Sequence, residues 1–232
     1  MAGSRRAVDP PNDSPAYRSS ELRAPKRPLR PLPGRLSEVT GPLLGDLVIG
    51  PSDSDLTRQH SGEPLGERIT ISGWVRDERG VPLPGALVEI WQANAAGRYA
   101  HDVDQHAAPL DPNFSGAGRC RTDADGNYRF VTIKPGAYPW RNHPNAWRPS
   151  HVHFSVITAA FAQRLITQMY FPGDPLLALD PVFNSVPDPE ARDRLIARWS
   201  LELTQPEWSL GYEWNIVMSG PDATPQHEDP AA

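Results

Sequence analysis

WRPSHVHFSVIT, residues 147–158, alternates with a period of two: Val152, Phe154 and Val156 are apolar, whereas His151, His153 and Ser155 are polar. Residues two apart in a strand project from one face, so this stretch is a strand with a core side and a polar side. The two imidazoles share the outer or cleft-lining face and reach toward one point. The same alternation recurs on both sides of this stretch. In ERITISGWVRDERG (67–80) Ile69, Ile71, Gly73 and Val75 alternate, and after a turn over 80–85 the segment ALVEIWQA (86–93) sets Leu87 and Glu89 against Val88, Ile90 and Gln92. DADGNYRFVTI (123–133) is an Asp-Gly turn feeding a strand, RLITQMYF (164–171) is another, and YEWNIVMS (212–219) puts Tyr212, Trp214, Ile216 and Met218 on one face. Short strands separated by turn signals predict a mostly β fold. The expected architecture is an antiparallel β-sandwich with long Pro-rich loops, an extended N-terminal arm and one or two short helices.

The 27 prolines and 18 glycines among 232 residues suit many short strands and rigid loops and disfavour a helical bundle. One helix is predicted in NSVPDPEARDRLIARWS (184–200), with Asp188 as N-cap, Pro189 at the first position and Leu195, Ile196 and Trp199 as an apolar stripe. Residues 1–65 form a Pro-rich arm with Leu22, Leu29, Leu32 and Leu36 spaced through it, suited to lying over a partner subunit. GPLLGDLVIG (41–50) is a candidate turn and strand. Residues 66–220 form the sandwich, and 221–232 a tail. The net charge of −5 is uneven, since residues 1–35 carry eight Lys or Arg and three Asp or Glu. A basic arm on an acidic body invites contact with another acidic surface; with one aromatic, Tyr17, and no binding module, it is not expected to hold nucleic acid. The single cysteine, Cys120, cannot close an internal disulfide. No apolar run is long enough to cross a bilayer and none follows the first arginines, so a soluble, cytoplasmic protein is expected.

Chemistry is concentrated in four residues. Tyr99, in WQANAAGRY (91–99), and Tyr138, in TIKPGAYPWRN (132–142), offer two phenolate oxygens beside the imidazoles of His151 and His153. A hard anionic oxygen donor mixed with borderline nitrogen favours a trivalent, oxygen-loving ion such as Fe(III) over zinc. Taken singly, each tyrosine is as readily a packing aromatic, and an isolated H-x-H pair is ordinarily satisfied by hydrogen bonds. Arg148 precedes the histidines closely enough to place a cation near the metal. Asp123, Asp125 and Gly126 suggest a calcium loop, but its twelfth position is Lys134, so a turn is expected. His60, His101, His106 and His143 lie in polar loops with no partner at ligand spacing.

The blocks WQANAAGRY, APLDPNF, GRCRTDADGNY, TIKPGAYPWRN and WRPSHVHF, in this order, resemble the intradiol ring-cleavage dioxygenases, most closely the beta chains of the protocatechuate-cleaving branch. The resemblance runs from about Gly66 through Gly220. It implies a non-haem Fe(III) centre held by Tyr99, Tyr138, His151 and His153, with Tyr138 giving way when a catechol chelates the metal. It implies that Arg148 stabilises negative charge on the substrate, that Trp140 and Gln168 line the cavity, and that Tyr17 meets a carboxylate on the ring. It further implies insertion of both atoms of O2 into a catechol, protocatechuate giving 3-carboxy-cis,cis-muconate, and a partner alpha chain that completes the cavity. His106 stands where the resemblance leads one to expect a tyrosine. Two other readings stay open: a related intradiol substrate such as catechol or hydroxyquinol, and a non-catalytic transthyretin-like module, which accounts for residues 69–133 but gives no reason for Tyr138, Arg148, His151 and His153.

Overall fold

Val152, Phe154 and Val156 are completely buried, as their alternation requires. Each such side chain contributes roughly 1.5–3 kcal/mol through the apolar surface it removes from water. The computed structural model describes residues 8–27, 48–50, 52–140, 146–158 and 163–226. Most of the strand expected over 41–50, and Leu29, Leu32 and Leu36, fall outside these.

Two sheets face one another across this core. The first contains β1 (Arg68–Arg76), β4 (Asn127–Ile133), β9 (Arg198–Trp199), β10 (Leu210–Glu213) and β11 (Ile216–Val217). The second runs in the order β3 (Ala117–Arg121), β2 (Leu87–Trp91), β7 (His151–Ile157) and β8 (Arg164–Tyr170). Phe130 and Trp214 from the first sheet meet Phe154 from the second, at ring centroids 6.4 and 4.6 Å apart. The second sheet is antiparallel throughout, as expected. The first is mixed: β4 pairs antiparallel with β1, whereas β10 and β11 run parallel to it. Parallel neighbours need a long connection, and here the chain lays down the whole second sheet before returning.

Tyr212, Trp214 and Ile216 are all buried, so the expected face persists although the strand is divided into β10 and β11. Asp123 accepts backbone bonds from Asp125 (2.9 Å) and Asn127 (2.8 Å), confirming a turn at that loop. The segment just before β1 is also packed: Leu56 is fully buried in the core, and Asp53 accepts from the Arg119 backbone at 2.8 Å.

The helix predicted over 188–199 is shorter than its pattern. Asp188 caps α2 (Pro189–Asp193) by accepting from Glu190 N at 3.2 Å, but the chain then leaves the helix. Tyr170 N donates to Leu195 O at 2.8 Å and Ala197 N to Tyr170 O at 2.9 Å, so backbone pairing with the end of β8 replaces the next helical turn. Leu195 is buried while Trp199 lies in β9, half-exposed against Tyr212. The arm contains a second short helix, α1 (Arg18–Arg23), where extended chain was expected. It brings Tyr17 into a small cluster with Trp140 and Val182, packed against Tyr138 and Ala146.

Candidate metal centre

His151 and His153 leave the non-core face of β7, between β2 and β8. The face expected to line a cleft is covered, and both imidazoles are essentially inaccessible. Trp91, opposite His153 in register, stacks on its ring at 4.9 Å and 7°. Tyr170, opposite His151, lies 5.8 Å from that ring. Burial, and after it the nearby Arg148 charge, holds both imidazoles well below the usual histidine range, so they are neutral near pH 7. His151 Nδ1 donates to Pro149 O at 2.7 Å, which leaves the Nε2 lone pair as the outward-facing donor.

The two tyrosines arrive from loops on the opposite side. Tyr99 Oη lies 3.1 Å from His153 Nε2, and Tyr138 Oη 3.3 Å from His151 Nε2. The tyrosine rings meet edge to face at 5.4 Å, and the histidine rings at 4.9 Å. Two glycines permit this. A Cβ at Gly97, whose φ is +77°, would stand 2.3 Å from Ala137 O, and one at Gly136 would stand 2.4 Å from Ala95 O. The Tyr99 loop also has its own brace, since Asp104 accepts from Tyr99 N at 2.8 Å. Tyr138 opens β5 (Tyr138–Trp140), which pairs with β6 (Ala146–Arg148) as a separate hairpin.

Two phenolic oxygens and two imidazole nitrogens thus converge, a donor set that fits ferric iron by hardness and charge. Among the described residues, no three His, Cys, Asp or Glu side chains form a competing site. A cavity of about 570 Å³ reaches the two tyrosines of this set and is lined by Trp91, Tyr99, Gln105, His106, Tyr138 and Trp140 among others. His106 packs edge to face on Trp147 at 6.3 Å, and both His106 and His101 line the cavity. His60 bonds Ser115 Oγ at 2.7 Å, and His143 is outside the described residues.

Arg148 and Gln168 lie beneath the imidazoles, and neither lines the cavity. The guanidinium reaches Gln168 Oε1 at 2.5 Å, Tyr170 Oη at 3.0 Å and Asp180 Oδ2 at 3.0 Å, all fully buried. Burial, and after it the Asp180 charge, raises the Tyr170 phenol well above the usual range. Sequence reasoning missed Asp180, Tyr170 and Trp91. Tyr170 was two residues from Gln168 on the same strand face, and a buried arginine requires a carboxylate, but nothing local singled out Asp180.

A family profile described as "Dioxygenase" matches residues 39–220, and one described as "Protocatechuate 3,4-dioxygenase beta subunit N terminal" matches residues 4–35. The chain is 62% identical over 213 residues to a protocatechuate 3,4-dioxygenase beta chain from Burkholderia cepacia, covering 91% of this chain and 90% of that one. The chain belongs to the intradiol ring-cleavage dioxygenase family. It is also 32% identical to the corresponding alpha chain of the same organism, over 68% of this dioxygenase and 76% of that chain. Among solved structures, 3-chlorocatechol 1,2-dioxygenase from Rhodococcus opacus 1CP superposes with a TM-score of 0.55 at 25% identity, covering 79% of this chain and 72% of that one. Membership removes the non-catalytic module as a reading: the buried His/Tyr arrangement is the one typical of the ferric centre of these non-haem iron enzymes.

Proposed function

We propose that this dioxygenase cleaves protocatechuate between its two hydroxyl-bearing carbons to 3-carboxy-cis,cis-muconate, with Tyr99, Tyr138, His151 and His153 holding ferric iron. The observation that carries the reading is the pairing of each phenol with one imidazole Nε2 at the wall of an aromatic-lined cavity. Ferric iron held by these four residues would supply Lewis acidity toward the catechol oxygens and make the ring reactive toward O2.

The protein's own groups divide the remaining work. The histidines stand on a strand paired on both sides, which fixes them, whereas Tyr99 stands on a loop and Tyr138 on a small hairpin outside the two sheets. Tyr138 belongs to the small hairpin, and we assign it as the group that swings away and takes a proton from an incoming catechol hydroxyl at its Oη. Tyr99, with its backbone braced by Asp104, stays. Arg148, held by Gln168 and paired with Asp180, is the assigned group that favours negative charge developing on the substrate. Trp91 and Trp140 exclude water from the reacting ring. Tyr17, packed on Trp140 at 5.2 Å, is the assigned contact for the ring carboxylate. An alpha chain related in fold completes the assembly, a pairing supported by similarity to both chains of the Burkholderia cepacia enzyme.

The test is an absorption spectrum with iron analysis of purified protein, followed by oxygen uptake on protocatechuate, catechol and hydroxyquinol with and without a candidate alpha chain. Stoichiometric iron, a broad visible tyrosinate band that Tyr99→Phe weakens or shifts, and preference for protocatechuate are expected. Colourless protein that cannot be reconstituted with iron refutes the ligand assignment. Preference for catechol or hydroxyquinol refutes the substrate.

A further inference from the structure

Arg148 and Asp180 have no solvent exposure, and their contact is two-pronged: Nε lies 3.2 and 3.3 Å from the two carboxylate oxygens, and Nη2 lies 3.0 Å from Oδ2. The carboxylate is itself held, since Oδ1 accepts from Val182 N at 3.2 Å and the Asp180 backbone N–H bonds back to Leu176 O at 3.0 Å. A second carboxylate from the same loop, Asp174, accepts from Ser150 N at 2.9 Å and from Leu176 N at 2.9 Å. Residues on both sides of Pro149 are therefore clamped by one loop. Pro149 O is the atom that orients the His151 ring.

An unpaired buried guanidinium is a poor neighbour for a trivalent cation, because like charges in a low-dielectric interior repel with little screening. We propose that Asp180 is a positioning residue of the metal centre: its carboxylate compensates the Arg148 charge, so that the adjoining imidazoles can hold a trivalent ion beside a buried cation. The inference rests on the reading of Tyr99, Tyr138, His151 and His153 as iron ligands. Asp180 is tied to the centre through Arg148, and its carboxylate also borders the Tyr170 phenol, which packs near the His151 ring. Among the described partners of the guanidinium, Gln168 and Tyr170 bring no negative charge, and Asp180 brings one.

Breaking a buried pair strands one charge, whereas replacing both partners by neutral groups of similar shape strands none. The test compares wild type, Asp180→Asn, Arg148→Gln and the double variant by ferric titration of iron-free protein against a competing chelator, with the visible band as a second signal. Asp180→Asn is expected to weaken iron binding by about tenfold or more. Adding Arg148→Gln should restore most of that affinity and the band position, while turnover stays low because Arg148 is gone. A role for Asp180 that is independent of the arginine charge, such as its bond from Val182 N, would not be repaired by removing the arginine. A double variant that binds iron as weakly as Asp180→Asn, or an Asp180→Asn protein that binds as tightly as wild type, overturns the proposal. The thermal midpoints of the iron-free proteins should follow the same cycle, with the single variant lowered and the double restored. If wild type binds no iron, the ligand assignment fails, and the thermal cycle still decides the compensation. If Asp180→Asn does not fold, a folded double variant with near wild-type affinity supports the proposal, and a double variant that also fails to fold overturns it.

Discussion

Acidifying the iron-free protein from pH 7 to pH 5 should lower folding stability, by at most about 4 kcal/mol for two rings, and the sign follows from where the protons go. His151 and His153 are fully buried and held neutral, chiefly by desolvation, with folded values well below 6.5. The unfolded chain protonates the same rings near ~6.5, so below that pH it binds more protons than the folded state and stability falls. The gap between ~6.5 and pH 5 limits the loss to at most about 2 kcal/mol per ring, still a large part of a typical stability of about 5–15 kcal/mol. The loss begins as the pH passes through ~6.5 and continues until the depressed folded values are reached. Asp53, Asp77 and Asp123, whose carboxyls are held low by hydrogen bonds, give up their contributions only near and below ordinary carboxylate values, outside this window. Urea denaturation at pH 5, 6 and 7 measures the slope, with a His151→Gln/His153→Gln variant as control. An unchanged slope in that control, or no slope in the parent, refutes the account of neutral buried imidazoles.

Other outcomes follow from particular contacts. Gly97→Ala should lower iron loading severely and cost roughly 1–3 kcal/mol, read by iron analysis and thermal midpoint, because φ is +77° and the new Cβ meets Ala137 O. Tyr17→Phe should raise KM for protocatechuate several-fold and leave catechol, which has no carboxylate, unaffected; steady-state oxygen uptake on both substrates separates the two. Trp140→Ala removes the ring on which Tyr17 packs, so KM should rise for both substrates. The Cys120 thiol is pushed up to about 12 by burial, so labelling by a disulfide reagent at pH 8 should be slow in the folded protein and complete only on unfolding.

The sandwich was legible because alternation is a local signal. Val152, Phe154 and Val156 declared the core side of β7, and the opposite side carried the histidines in plain view. Tyr99 and Tyr138 were legible only with the blocks around them, since neither loop has a period that would reveal where its side chain points. Asp180 was invisible because its partner lies 32 residues away and its loop has no pattern. The predicted helix begins where expected and stops early for a related reason. The spacing of Leu195, Ile196 and Trp199 suits a helix, but backbone pairing with Tyr170 outweighs that preference once β8 is in place. The parallel placement of β10 and β11 beside β1 likewise depends on a return path that no single segment encodes.

The close contact of the Gly97 and Gly136 segments makes the backbones that carry the two tyrosines one mechanical part, while each side chain can still turn about its own bonds. Neither loop can acquire a side chain at its crossing point without displacing the other. A graft that carries one tyrosine loop into a different sandwich would therefore import a phenol without its aim, whereas 94–99 and 135–138 moved as a single cassette would bring both. Homologous recombination between relatives should tolerate breakpoints outside this pair of segments and penalise those that separate them.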